Sequence, residues 1–165
     1  MGFLGFGKKK AQADTVIAVM VQAYRDIYSA IHNTPNEYDA IIKFFSGTSE
    51  LQDSYAAIEQ AVLSKAPFTK KKEAKRMLEV LRRELSKCGR DDFGWNRTSI
   101  GQQVTENDVF LGNTHGLFTK TIYEWKTASK ENQEIVRAQA RDFIHSYKEL
   151  PDTIRNLLGY MNISP

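Results

Sequence analysis

Apolar residues recur along most of this chain at intervals of three and four, the spacing of one helix face. Ile17, Met20, Tyr24, Ile27 and Ile31 form the first stripe and predict a helix over about 14–32, broken by Asn33-Thr34-Pro35. Tyr38, Ile41, Ile42 and Phe45 predict a short second helix, closed by Gly47. Ser49 with Gln52 reads as a capping box for the third, whose stripe is Leu51, Tyr55, Ile58 and Val62. That helix stops near Lys65, because Pro67 pushes Ala66 away from helical angles. Thr69 is the expected cap of a fourth helix. Its inward stripe is Ala74, Met77, Leu78, Leu81, Leu85 and Cys88, with Gly89 at its end.

The periodicity then fails. Five of the ten glycines fall between Gly89 and Gly116, and glycine weakens helices. Only 105–111 reads as a short helix there. Phe118, Ile122 and Trp125 restore the pattern. Ser129 caps a long helix from about Lys130, with Val136, Ala140, Phe143 and Tyr147 inward. Pro151 suits a first helical position, and Ile154, Leu157, Leu158 and Met161 complete a last helix. No strand-like alternation occurs. The expected fold is all-α, an irregular bundle of about six or seven helices with one long irregular connection at about 89–117. Residues 11–165 are expected to form a single helical domain. Residues 1–10 are expected to be a flexible or membrane- or partner-contacting tip.

Composition narrows the class. A chain of 165 residues, 41% hydrophobic and 26% charged, can bury a core and is not disordered. The lone Cys88 allows no internal disulfide and fits a reducing compartment. The apolar run 16–21 is too short to span a bilayer. Gln12 and Asp14 interrupt the segment after Lys8-Lys9-Lys10, so a secretory signal is not expected. The expected location is cytoplasmic, with membrane association through the tip as an addition. There, Phe3, Leu4 and Phe6 stand beside Lys8, Lys9 and Lys10, and such mixtures suit anionic interfaces. Gly2 does not complete a myristoylation motif, because Phe6 stands where Ser or Thr is needed.

Charge is segregated. Residues 65–90 hold ten basic and three acidic residues, against two basic and seven acidic over 11–64. Lys72, Lys75, Arg76, Arg82, Arg83 and Lys87 are expected opposite the apolar stripe of the fourth helix. Lys70, Lys71 and Lys72 crowd its first turn. Cations near a helix N-terminus oppose its dipole, at about 0.3–1 kcal/mol each. A cluster placed at local cost points to an anionic partner. The competing reading is a solvated face, partly neutralised by acids of the first three helices. Phe93 and Trp95, set among Arg90, Asn96 and Arg97, form an aromatic-arginine group of the kind found at protein interfaces.

Catalytic signals are weak. His32, His115, His145 and Cys88 lack zinc-ligand spacing. Asp142 and His145 lie one helical turn apart, without the second carboxylate-histidine pair of a dimetal site. Asp91, Asp92, Glu106, Asp108 and His115 could supply acid-base groups, and are equally ordinary loop and cap residues. Cys88-Gly89-Arg90-Asp91 resembles the Cys-x-Arg-Asp stretch by which phycobiliproteins hold a tetrapyrrole. Phe93-Gly94-Trp95-Asn96 departs from that family, which continues a helix there, and the four-residue match is read as coincidence.

No catalytic residue, metal or cofactor is therefore assigned. The expected function is a non-enzymatic helical interaction or adaptor protein binding an acidic protein partner. Its expected contacts are Lys70, Lys71, Lys72, Lys75, Arg76, Arg82, Arg83, Arg90, Phe93, Trp95 and Arg97. Nonspecific nucleic-acid binding through 69–88, and an enzyme site in 89–117, are the alternatives.

Overall fold

The computed structural model describes residues 2–88 and 126–165, with side chains from Ala13 onward except those of 87, 88, 136 and 139. It is all-α. Helix α1 spans Gly2–His32, α2 Glu37–Asp53, α3 Tyr55–Lys65, α4 Lys71–Cys88, α5 Lys130–Ser146 and α6 Leu150–Tyr160. A 3-10 turn, Phe68–Lys70, leads into α4. The irregular connection, the helix at 105–111, and Phe118, Ile122 and Trp125 lie outside the described residues. So do the side chains of Lys87, Cys88 and Val136.

Several predicted boundaries hold. Ala66 is extended at φ −65° and ψ 137°, so α3 ends before Pro67. Ser129 accepts a hydrogen bond from the Asn132 amide and starts α5. Pro151 sits in the first turn of α6.

Others are corrected. Helix α1 begins at Gly2 rather than near Asp14. Helix α2 does not close at Gly47 but runs on to Asp53, so Ser49 and Gln52 are interior to it and form no capping box. Tertiary contact overrides the glycine signal here, because α1 and α2 cross closely at Gly47. A Cβ on that glycine would stand 2.7 Å from Cγ1 of Ile27. Thr69 lies inside the 3-10 turn instead of capping α4.

Helix α1 packs on α2, α3 and α6; α4 packs on α3 and α6; α5 lies against α2. Their apolar faces meet in one core around Met20, Ile27, Phe44, Leu81, Ile154 and Leu157, all sealed from solvent. On α1 the buried line is Val16, Met20, Ala23, Ile27 and Ala30, with Ile17, Tyr24 and Ile31 flanking it. On α2, Ile41 and Phe44 are fully buried while Ile42 is exposed. The rings of Phe45, Phe143 and Tyr147 surround Phe44 at 5.5 to 5.7 Å.

Two polar residues tie helices across this core. Gln52 is buried, and its amide nitrogen donates to the Leu85 carbonyl at 3.2 Å. The Tyr55 hydroxyl donates to the Leu78 carbonyl at 3.1 Å. Burial, then the charges of Glu59 and Glu79, push its phenol above the ordinary value. Helix α6 ends with Asn162 at φ 60°. The Ile163 amide reaches back to the Leu158 carbonyl and the Asn162 amide to Gly159, a Schellman cap with asparagine in the left-handed position.

Candidate functional site

Helix α4 positions the cationic surface. Ala74, Leu78, Leu81 and Leu85 fix one side against the core. The 3.6-residue repeat then sends Lys71, Lys72, Lys75, Arg76, Arg82 and Arg83 to solvent, all of them exposed. Lys70, in the preceding turn, is exposed as well.

The counter-charges near this surface belong to α4 itself. Glu73 pairs with Lys70 at 3.7 Å. Glu79 lies 3.9 Å from Arg82 and 3.8 Å from Arg83. These exposed i,i+3 and i,i+4 pairs contribute little stability. Among the described residues, no carboxylate oxygen lies within 4.0 Å of the terminal nitrogens of Lys71, Lys72, Lys75 or Arg76. Among the described residues, no acid of α1–α3 forms an ion pair with these cations. Lys65 at the end of α3 instead pairs with Asp14 of α1 at 3.9 Å.

Phe68 adds a feature that the apolar stripes do not mark. The residue is 89% exposed, at the head of the row of lysines. The amide of Lys70 bonds to the Pro67 carbonyl at 2.8 Å and holds the turn that presents it. The register contains the signal. Counting three and four residues on from 68 reaches Lys71 and Lys72, so Phe68 extends the cationic face and not the buried one.

The other sequence-predicted contacts, Arg90, Phe93, Trp95 and Arg97, lie outside the described residues. So do Asp91, Asp92, Glu106, Asp108 and His115, the acid-base candidates. The tip residues Phe3, Leu4, Phe6, Lys8, Lys9 and Lys10 belong to the first turns of α1, and their side chains lie outside the described part of the structure.

A second feature is a cleft of about 480 Å³ between the α1–α2 turn and α5, lined in part by His32, Pro35, Glu37, Arg141 and His145. His32 closes α1 and packs 4.6 Å from the Tyr28 ring. Asp142 and His145 are both exposed on α5. Arg141 donates to the Glu37 carboxylate across the cleft. Among the described residues, no group of three or more His, Cys, Asp or Glu side chains is placed to hold a metal ion.

No protein-family model matches this chain, and neither curated proteins nor solved structures show a significant similarity to it. Among the described residues, no helix is long and apolar enough to cross a membrane.

The cleft pair has a measurable consequence. Glu37 is the first residue of α2, and its carboxyl is held below the ordinary value of 4.5. The main cause is a hydrogen bond from its own backbone amide, followed by the bond from Arg141. A lowered folded-state pKa stabilises the fold above the ordinary carboxylate range, and this contribution fades as pH falls through the folded value. Glu37→Gln is expected to lower stability at pH 7 by about 1 kcal/mol or less, since Arg141 is largely exposed. Wild type and variant should converge as pH falls below the lowered folded value of Glu37. Urea melts across that range check it, and a gap that widens toward acid would reverse the assignment.

Proposed function

We propose that this chain is a non-enzymatic helical interaction protein that binds an acidic protein surface along the exposed side of α4. The observation that carries this reading is the set Lys71, Lys72, Lys75 and Arg76, exposed together with no carboxylate against them among the described residues. Uncompensated like charges repel, and three of the chain's lysines (Lys70, Lys71 and Lys72) also crowd the positive end of a helix dipole. An acidic partner would relieve both. Lys70, Arg82 and Arg83 extend the surface. Arg90, Phe93, Trp95 and Arg97, next along the chain, supply aromatic and guanidinium groups suited to a desolvated interface centre. The tip with Phe3, Leu4, Phe6, Lys8, Lys9 and Lys10 would add membrane contact.

Charge reversal tests it. The wild type, immobilised and exposed to an extract of its native source, is expected to retain an acidic protein that moderate salt releases. Changing Lys70, Lys71, Lys72, Lys75 and Arg76 to Glu should abolish that retention while circular dichroism stays unchanged. If every retained protein survives the reversal, the face is only solvated. A gel shift that collapses with salt, in place of a protein partner, would move the assignment to nonspecific nucleic-acid binding.

A further inference from the structure

The end of the bundle where α3 turns into α4 carries a combination that the proposed protein-binding face does not require. Phe68 is 89% exposed on a hydrogen-bonded turn, next to the exposed Pro67. Lys71 and Lys72 follow at once, exposed, with no carboxylate within 4.0 Å among the described residues. The Lys65–Asp14 ion pair fixes this corner beside α1, at the point from which α1 runs back toward Gly2. That run is about 18 Å of helix at 1.5 Å per residue, and its sequence holds Phe3, Leu4, Phe6, Lys8, Lys9 and Lys10.

We infer that this end docks on an anionic lipid surface, with Phe68 entering the headgroup layer and Lys71 and Lys72 against the acidic headgroups. The chemistry suits both components. Aromatic rings partition into the interface, and lysines near an anionic leaflet each strengthen binding. The α4 N-terminus points its positive dipole end the same way, so lysines that oppose the helix in isolation match a negative surface. Lys71 and Lys72 are shared with the acidic-protein reading, Phe68 is not, and vesicles without protein test the lipid contact separately.

Co-sedimentation of the full chain with vesicles tests it. Vesicles of phosphatidylcholine with about 30% phosphatidylserine are expected to bind it at moderate salt, and pure phosphatidylcholine to bind it much more weakly. Phe68→Ser, which leaves the charge intact, should weaken binding about 5-fold. Changing Lys71 and Lys72 together to Gln should weaken it on the order of 20-fold. Changing Arg82 and Arg83 to Gln, farther along α4, should change it less than about 3-fold. These exposed positions are not expected to alter the fold, which circular dichroism verifies. Absence of binding to the serine-containing vesicles overturns the inference. Binding that Phe68→Ser leaves unchanged does so too, because charge alone would then account for it.

Discussion

Phe44→Ala is expected to lower the unfolding free energy by about 3–5 kcal/mol. Phe44 is sealed from solvent, and its ring meets three others: Phe45 at 5.6 Å, Phe143 at 5.7 Å and Tyr147 at 5.5 Å. Removing it takes away the transfer free energy of a ring. It also leaves a cavity whose aromatic walls come from two helices far apart in sequence, so collapse would be partial. Edge-on contacts between such rings add about 0.5–1.5 kcal/mol beyond area alone. A domain stable by about 5–15 kcal/mol would lose a large part of its margin. Phe44→Leu, which retains much of the volume, should cost less than half as much. Urea melts measure both. A loss below about 1 kcal/mol for the alanine variant would mean that α5 does not close over α2 as described.

Gly47→Val is expected to cost about 3 kcal/mol, at the upper end of ordinary overpacking. The added Cβ alone would lie 2.7 Å from Ile27 Cγ1 and 3.1 Å from the Ala23 carbonyl oxygen. The side chain can give a little, but the carbonyl belongs to the backbone of α1 on its buried face and cannot. Helices α1 and α2 would have to part. Gly47→Ala meets the same contacts and gains about 1 kcal/mol of helix propensity, so a smaller net loss is expected. Gly159 supplies the control. It is helical too, and a Cβ there meets nothing within 4 Å. Gly159→Ala should therefore stabilise the protein by about 0.5–1 kcal/mol. Opposite signs at the two glycines, read from denaturation midpoints, are the expected result, and equal signs would refute the close crossing.

These two glycines also show what the sequence can and cannot reveal. The all-α class is legible because the three-four spacing of apolar residues is local and strong. So are the end of α3 and the start of α5, where Pro67 and Ser129 act through their own backbone neighbourhoods. Gly47 misleads because its role lies in a neighbouring helix, and a pattern read along one segment holds no information about what packs against it. Phe44 and Ile42 change places for a related reason. Once α2 runs unbroken to Asp53, its buried line passes through Ala40, Phe44, Gly47 and Leu51. Gln52 looks like a cap locally, yet it serves a carbonyl 33 residues away. The cationic face is predictable from periodicity and charge. Phe68 is legible only once the register of α4 is carried back through the turn that joins it to α3.

The core draws on both ends of the chain, and this shapes how it is made. Arg141 reaches Glu37 over 104 residues, and α6 covers both α1 and α4. Contacts of such long separation slow folding relative to bundles whose neighbours are adjacent in sequence. On a ribosome adding about 5–20 residues per second, α1 to α4 emerge seconds before α5 and α6 exist. During that interval the faces of Phe44, Leu81 and Leu85 have no C-terminal helices to meet. The nascent segment from α1 to α4 is therefore a candidate client for chaperones until α5 and α6 complete its burial.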